Sequence, residues 1–125
     1  MSVPSMNIWY VSQISQSEAF YQQLLGSAAI ESSPSFAMFQ LNSSAMLGLW
    51  SASGVLPPLS ESQATVRQSG ELCLLQSHRA TVDQAYQHCL NQGLAIAQVP
   101  SEAEFGYSFV VLDPDRNRIR YLVAS

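Results

Sequence analysis

From Met6 to Ser12 the chain reads MNIWYVS, a run of aromatic and β-branched residues that predicts a strand. Polar residues follow. From Ser17 the apolar positions Phe20, Tyr21, Leu24 and Leu25 recur on one helix face, with Ser17 as N-cap and Gly26 as the stop. Strands are then predicted around 28–32, over 36–42 (FAMFQLN) and over 45–51 (AMLGLWS). Asn42-Ser43-Ser44 supplies turn chemistry between the last two. After Gly54-Val55-Leu56-Pro57-Pro58 the pattern loosens into LSESQATVRQSG, a polar connector.

The same order then starts again. ELCLLQ at 71–76 predicts a strand, and either Thr81 or Asp83 opens a helix whose apolar side carries Ala85, Tyr86, Cys89 and Leu90 before Gly93. Strands follow over 94–99, 107–112 and 118–123. AFYQQLLG at 19–26 and AYQHCLNQG at 85–93 hold the same place in the two halves. The reading is a βαβββ unit written twice, at about 1–55 and about 70–125, within a single domain over 1–125 and with a connector at about 56–69. The fold class expected is α+β: two tandem βαβββ units pairing into a curved mixed sheet with a cleft, helices outside.

Composition narrows the partners. The chain has 125 residues, a net charge of -4, five Lys plus Arg residues and 11% charged residues against 47% apolar. No basic stripe is available for a phosphate backbone, so nucleic acid is not expected as a partner. No apolar run is long enough to span a bilayer, and the N-terminus MSVPSMNIWYV does not read as a signal peptide, so a cytoplasmic protein without a membrane partner is expected. Cys73 and Cys89, on a predicted strand and a predicted helix, read as reduced, partly buried thiols.

The repeat, Phe20-Tyr21 with Leu24-Leu25-Gly26, and the turn Asp113-Pro114-Asp115-Arg116-Asn117 resemble the vicinal oxygen chelate superfamily, the glyoxalase and bleomycin-resistance fold. Within it, LGLWS at 47–51, SFAMF at 35–39 and FGYSFVVLDPD at 105–115 look closest to proteins that bind phenazine antibiotics in an aromatic pocket. The resemblance implies a homodimer. It also implies positions for metal ligands, typically His or Glu, and those positions are occupied here by Met6 in the first strand, Glu71 opening the second unit and Arg120 in the last strand. AMLGLWS offers no carboxylate or imidazole. A thioether is a poor ligand for a hard cation, and a guanidinium has no lone pair to offer. No metal, other cofactor or catalytic residue is therefore expected.

Alternation puts Arg120 and Leu122 on one strand face, with Ile119, Tyr121 and Val123 on the other. Arg120 then faces the cleft, where Glu71 can neutralise it; the bland alternative has it snorkel to solvent at a sheet edge. The family usually has Gly where Arg116 stands, so either Asn117 takes the left-handed position or the turn changes type. His78 and His88 have no partner at ligand spacing and read as surface residues, and neither cysteine is paired with a base.

Alternation also carries Ile8 and Tyr10 onto the face of Met6, and Cys73 and Leu75 onto that of Glu71, while Trp9 turns away to pack under a helix. The resemblance adds Trp50, Phe36 and Phe105. Trp50 could equally cover core or interface. Met6, Ile8, Tyr10, Phe36, Trp50, Glu71, Phe105 and Arg120 thus form the candidate ligand-binding set, an aromatic lining suited to a planar aromatic small molecule. Two other readings stand beside it. One is a glyoxalase- or dioxygenase-type enzyme with a non-standard or absent metal site; the other is an interaction domain whose cleft its own side chains fill.

Overall fold

The computed structural model describes residues 3–60 and 70–125. The chain divides into two compact units, Met1–Val66 and Arg67–Ser125, which follow the two repeats. Most of the polar connector, residues 61–69, lies outside the described residues.

The first unit runs β1 (Ser5–Val11), α1 (Ile14–Leu25), β2 (Glu31–Ser32), β3 (Phe36–Asn42) and β4 (Ala45–Ser51), followed by a single 3-10 turn at Ala52–Gly54. The second runs β5 (Glu71–Leu75), α2 (Arg79–Asn91), β6 (Ala95–Ala103), β7 (Gly106–Leu112) and β8 (Arg118–Ala124). Each unit holds one four-stranded mixed sheet, ordered β1-β4-β3-β2 and β5-β8-β7-β6. The two sheets have the same plan. In each, the strand before the helix lies parallel to the last strand, and the remaining neighbours are antiparallel.

The helices begin earlier than expected. Ser17 does not cap α1; Gln13 does by position, and Ser17 is buried one turn inside. The reason is Ile14, which with Ser17, Phe20, Tyr21 and Leu24 completes a buried stripe that no cap preference at Ser17 could outweigh. Likewise His78 stands at the N-cap of α2, ahead of both Thr81 and Asp83, and Thr81 Oγ1 donates to the His78 carbonyl at 2.8 Å. Both helices stop at glycine. Gly26 (φ 72) donates its N–H to Gln22 O, and Gly93 (φ 70) lets Leu94 N–H reach back to Cys89 O.

One face of each sheet packs on its own helix. In the first unit Val11, Ala37, Phe39, Leu47 and Leu49 are buried with Phe20, Tyr21 and Leu24, the Tyr21 and Phe39 rings 6.3 Å apart. In the second, Phe109, Val111, Ile119 and Tyr121 are buried with Val82 and Cys89. Phe109 lies flat on its register partner Tyr121 at 5.0 Å and meets Tyr86 edge-on at 5.3 Å. Each such ring or branched side chain contributes about 2 kcal/mol on burial. Leu90, expected on the apolar side of α2, is exposed, whereas Val82, not among the expected apolar positions, is fully buried. Arg79 tethers α2 further by pairing with Glu102 of β6 and lying 3.8 Å from the Tyr107 ring centroid.

The expected strand at 28–32 shrinks to Glu31–Ser32, whereas β6 extends to Ala103. β3 and β4 fall where alternation placed them. Their turn is held by Asn42 Oδ1, which accepts from Ser44 N at 2.8 Å. At the turn over 113–117 Asn117 does not take the left-handed position: Arg116 itself does, at φ 67. Asn117 is instead needed as a donor, its backbone N and Nδ2 both reaching the buried Asp113 carboxylate, at 2.8 and 2.9 Å.

Candidate functional site

With one face of each sheet committed to a helix, alternation leaves the other face for function, and the candidate residues divide between these two open faces. On the first sheet, register places Met6 beside Met46, Ile8 beside Gly48, and Tyr10 beside Trp50, with Phe36 on the other side of Trp50. Met6, Ile8 and Tyr10 are 41%, 40% and 48% exposed, an unusual concentration of apolar side chains in water. The Trp50 ring stands edge-on between Tyr10 at 6.5 Å and Phe36 at 6.4 Å.

Gly48 is what permits this arrangement. A Cβ there would lie 2.9 Å from Met6 Sδ and 3.0 Å from Phe36 Cζ, so the bare glycine lets both side chains close over the strand. Trp9 turns to the opposite face, where its indole Nε1 is buried without a hydrogen-bond partner among the described residues.

On the second sheet the open face carries Glu71 and Cys73 of β5, Arg120 and Leu122 of β8, and Ser108 of β7. Ile119 and Tyr121 are buried on the helix side, as alternation required. Arg120 does not snorkel. Its Nε donates to Glu71 Oε2 at 2.5 Å and its Nη2 to Glu71 Oε1 at 3.2 Å, the forked geometry that suits guanidinium to carboxylate. Nη1 donates to Ser108 Oγ at 3.0 Å and to Gln98 Oε1 at 3.3 Å. The Arg120 side chain is 16% exposed and that of Glu71 30%. Phe105, at the turn between β6 and β7, puts its ring centroid 5.6 Å from Arg120 Cζ.

Cys73 sits beside this pair. Cys73, expected partly buried, is exposed; partial desolvation by its neighbours, and then the Glu71 carboxylate, still hold the thiol above its ordinary value, with Arg120 pulling the other way. It therefore stays protonated at neutral pH and is a poor nucleophile.

Sequence reasoning missed Ser108, Gln98 and Gly48. Ser108 carried a signal: it is the one polar residue in GYSFVVL, and a serine buried in such a strand needs a partner. Gln98 carried none, because β6 shifts register on both sides of it.

The model of the glyoxalase/bleomycin resistance protein/dioxygenase superfamily matches residues 7–121. The chain belongs to that superfamily. A protein of Agrobacterium tumefaciens, solved in solution by NMR, is 35% identical with a TM-score of 0.78, covering 100% of this chain and 99% of that one. A glyoxalase/bleomycin resistance protein/dioxygenase family enzyme from Burkholderia phytofirmans is 25% identical with a TM-score of 0.80, over 97% of this chain and 98% of that one. Lactoylglutathione lyase from Agrobacterium tumefaciens shares the fold, at 19% identity and a TM-score of 0.77, over 98% of this chain and 94% of that one. No match was found among curated proteins.

Membership raises the question of a metal, and the residues at the corresponding positions do not fit one. Met6 Sδ packs toward Gly48, and both Glu71 oxygens are taken by the fixed cation of Arg120. Among the described residues no three His, Cys, Asp or Glu side chains are grouped so as to hold an ion. His88 lies in α2 and His78 at its start, so neither sits on the open sheet faces. No described helix is long and apolar enough to cross a membrane.

Proposed function

We propose that this superfamily member binds and sequesters a planar aromatic small molecule, with a phenazine-like antibiotic as the representative ligand, and that it does so as a homodimer without catalysing a reaction. The observation that carries the reading is the open face of the first sheet, where Tyr10, Trp50 and Phe36 stand edge-to-face beside exposed Met6 and Ile8. A flat ring laid on that face would gain both apolar burial and offset stacking on the indole. On the second sheet Phe105 and the Arg120–Glu71 pair offer an aromatic wall with a polar group beside it. A cytoplasmic location belongs to the same proposal, supported by two unpaired thiols.

A second reading, an enzyme of the same fold, is favoured by the likeness to the Burkholderia family enzyme. It would need a nucleophile, base or Lewis acid, and the protonated Cys73 and the occupied Glu71 supply none.

Tryptophan fluorescence during titration with phenazine, on chelator-treated protein, tests the proposal. Saturable quenching that is lost in Trp50→Phe and kept in Trp9→Phe is the expected result. Binding that appears only when a divalent metal is added back would sink the metal-free sequestration reading.

A further inference from the structure

Building on the aromatic-ligand reading, we infer that the Arg120 cluster on the open face of the second sheet reads a neutral hydrogen-bond acceptor on the ligand, a ring nitrogen or carbonyl oxygen, and disfavours a carboxylate. A guanidinium carries five N–H donors. Nε and one Nη2 proton go to Glu71, and the two Nη1 protons go to Ser108 and Gln98. One Nη2 proton is left without a partner among the described residues.

That remaining donor is held still. Forked pairing to Glu71 and the two bonds from Nη1 fix the guanidinium plane, so an acceptor finds the N–H already oriented. The ring of Phe105, 52% accessible, has its centroid 5.6 Å from Arg120 Cζ, and its own backbone is pinned where Ser125 N donates to Phe105 O at 3.1 Å. A flat ligand resting on Phe105 can therefore turn one edge toward Arg120.

Charge sets the selectivity. Glu71 and Arg120 cancel, so a ligand carboxylate would meet the Glu71 carboxylate a few ångströms away with no surplus cation between them. Arg118 shares the face but is exposed at the start of β8, where water screens its charge. A neutral acceptor takes the free proton without that repulsion.

Three bicyclic probes of one shape separate the possibilities: naphthalene with no acceptor, quinoxaline with neutral ring nitrogens, and quinoxaline-2-carboxylate. Calorimetry on the full chain is expected to rank quinoxaline about tenfold above naphthalene, with the carboxylate below quinoxaline. Arg120→Met should erase the difference between quinoxaline and naphthalene. Glu71→Gln keeps the guanidinium but uncovers its charge, and should move the preference to the carboxylate by about tenfold. Arg118→Gln should leave the ranking unchanged. Circular dichroism verifies the fold of each variant. Equal binding of the three probes, or a Glu71→Gln variant that ranks them as the parent does, overturns the inference alone. Failure of all three to bind overturns it together with the aromatic-ligand reading.

Discussion

Arg120 and Glu71 face each other across β8 and β5 in a forked pair, Nε to Oε2 at 2.5 Å and Nη2 to Oε1 at 3.2 Å, at positions where this superfamily's resemblance pattern would hold metal ligands. A fixed guanidinium thus takes up the carboxylate that an ion would need. The pair is only partly exposed, so losing one member leaves a charge with little water to turn to.

Arg120→Met is therefore expected to cost about 2 kcal/mol in urea unfolding, and the double variant Arg120→Met with Glu71→Leu should recover most of that loss. A double variant as unstable as the single one would show that Arg120 contributes by packing instead.

Arg116 is the one non-glycine residue at positive φ among the described residues. Arg116→Gly should relieve that strain and stabilise the protein by about 0.5–1 kcal/mol, net of the added freedom of the unfolded chain. The midpoint of thermal unfolding reads this directly, and a fall in midpoint would contradict it.

Gly106 (φ 146) pairs with Ala124, and a Cβ there would press on the Val123 carbonyl oxygen of the neighbouring strand. Backbone cannot yield as a side-chain tip can. Gly106→Ala should cost about 3 kcal/mol, while Gly26→Ala, which has open space but a left-handed φ, should cost about 1 kcal/mol. Chemical denaturation of the two variants side by side provides the comparison.

Burial pushes the Cys89 thiol up to about 11 from its ordinary 9.0. Between those values the unfolded chain has released the proton and the native chain keeps it, so stability must fall as pH rises through that window. The contribution is fully present below pH 9 and amounts to about 2–3 kcal/mol at most. Tyr121, raised by burial and then by Cys89, adds a further alkaline loss above its ordinary 10.0. Unfolding free energies from pH 8 to 11 should decline less steeply in Cys89→Ala than in the parent protein. Parallel slopes would mean that the thiol is not the group responsible.

Local chemistry was enough to read the repeat, the strands at 36–42 and 45–51, and the side of β8 on which Arg120 lies. These depend on neighbours two to four residues apart, and a two-residue period or a glycine stop survives whatever the rest of the chain does. The start of α1 is not legible locally, because a cap preference of about 1 kcal/mol at Ser17 competes with burial of Ile14, which is larger and is visible only once the sheet is in place. The same holds for the left-handed Arg116. Asn117 has the better intrinsic preference for that conformation, yet its two bonds to buried Asp113 claim it for another task. The Arg120 network depended most on folding. Glu71 stands 49 positions away and Gln98 22, across strands whose register is fixed by packing on α2 and by the shifts in β6. Alternation says which way a side chain points, but only the pairing of distant strands says what it meets there.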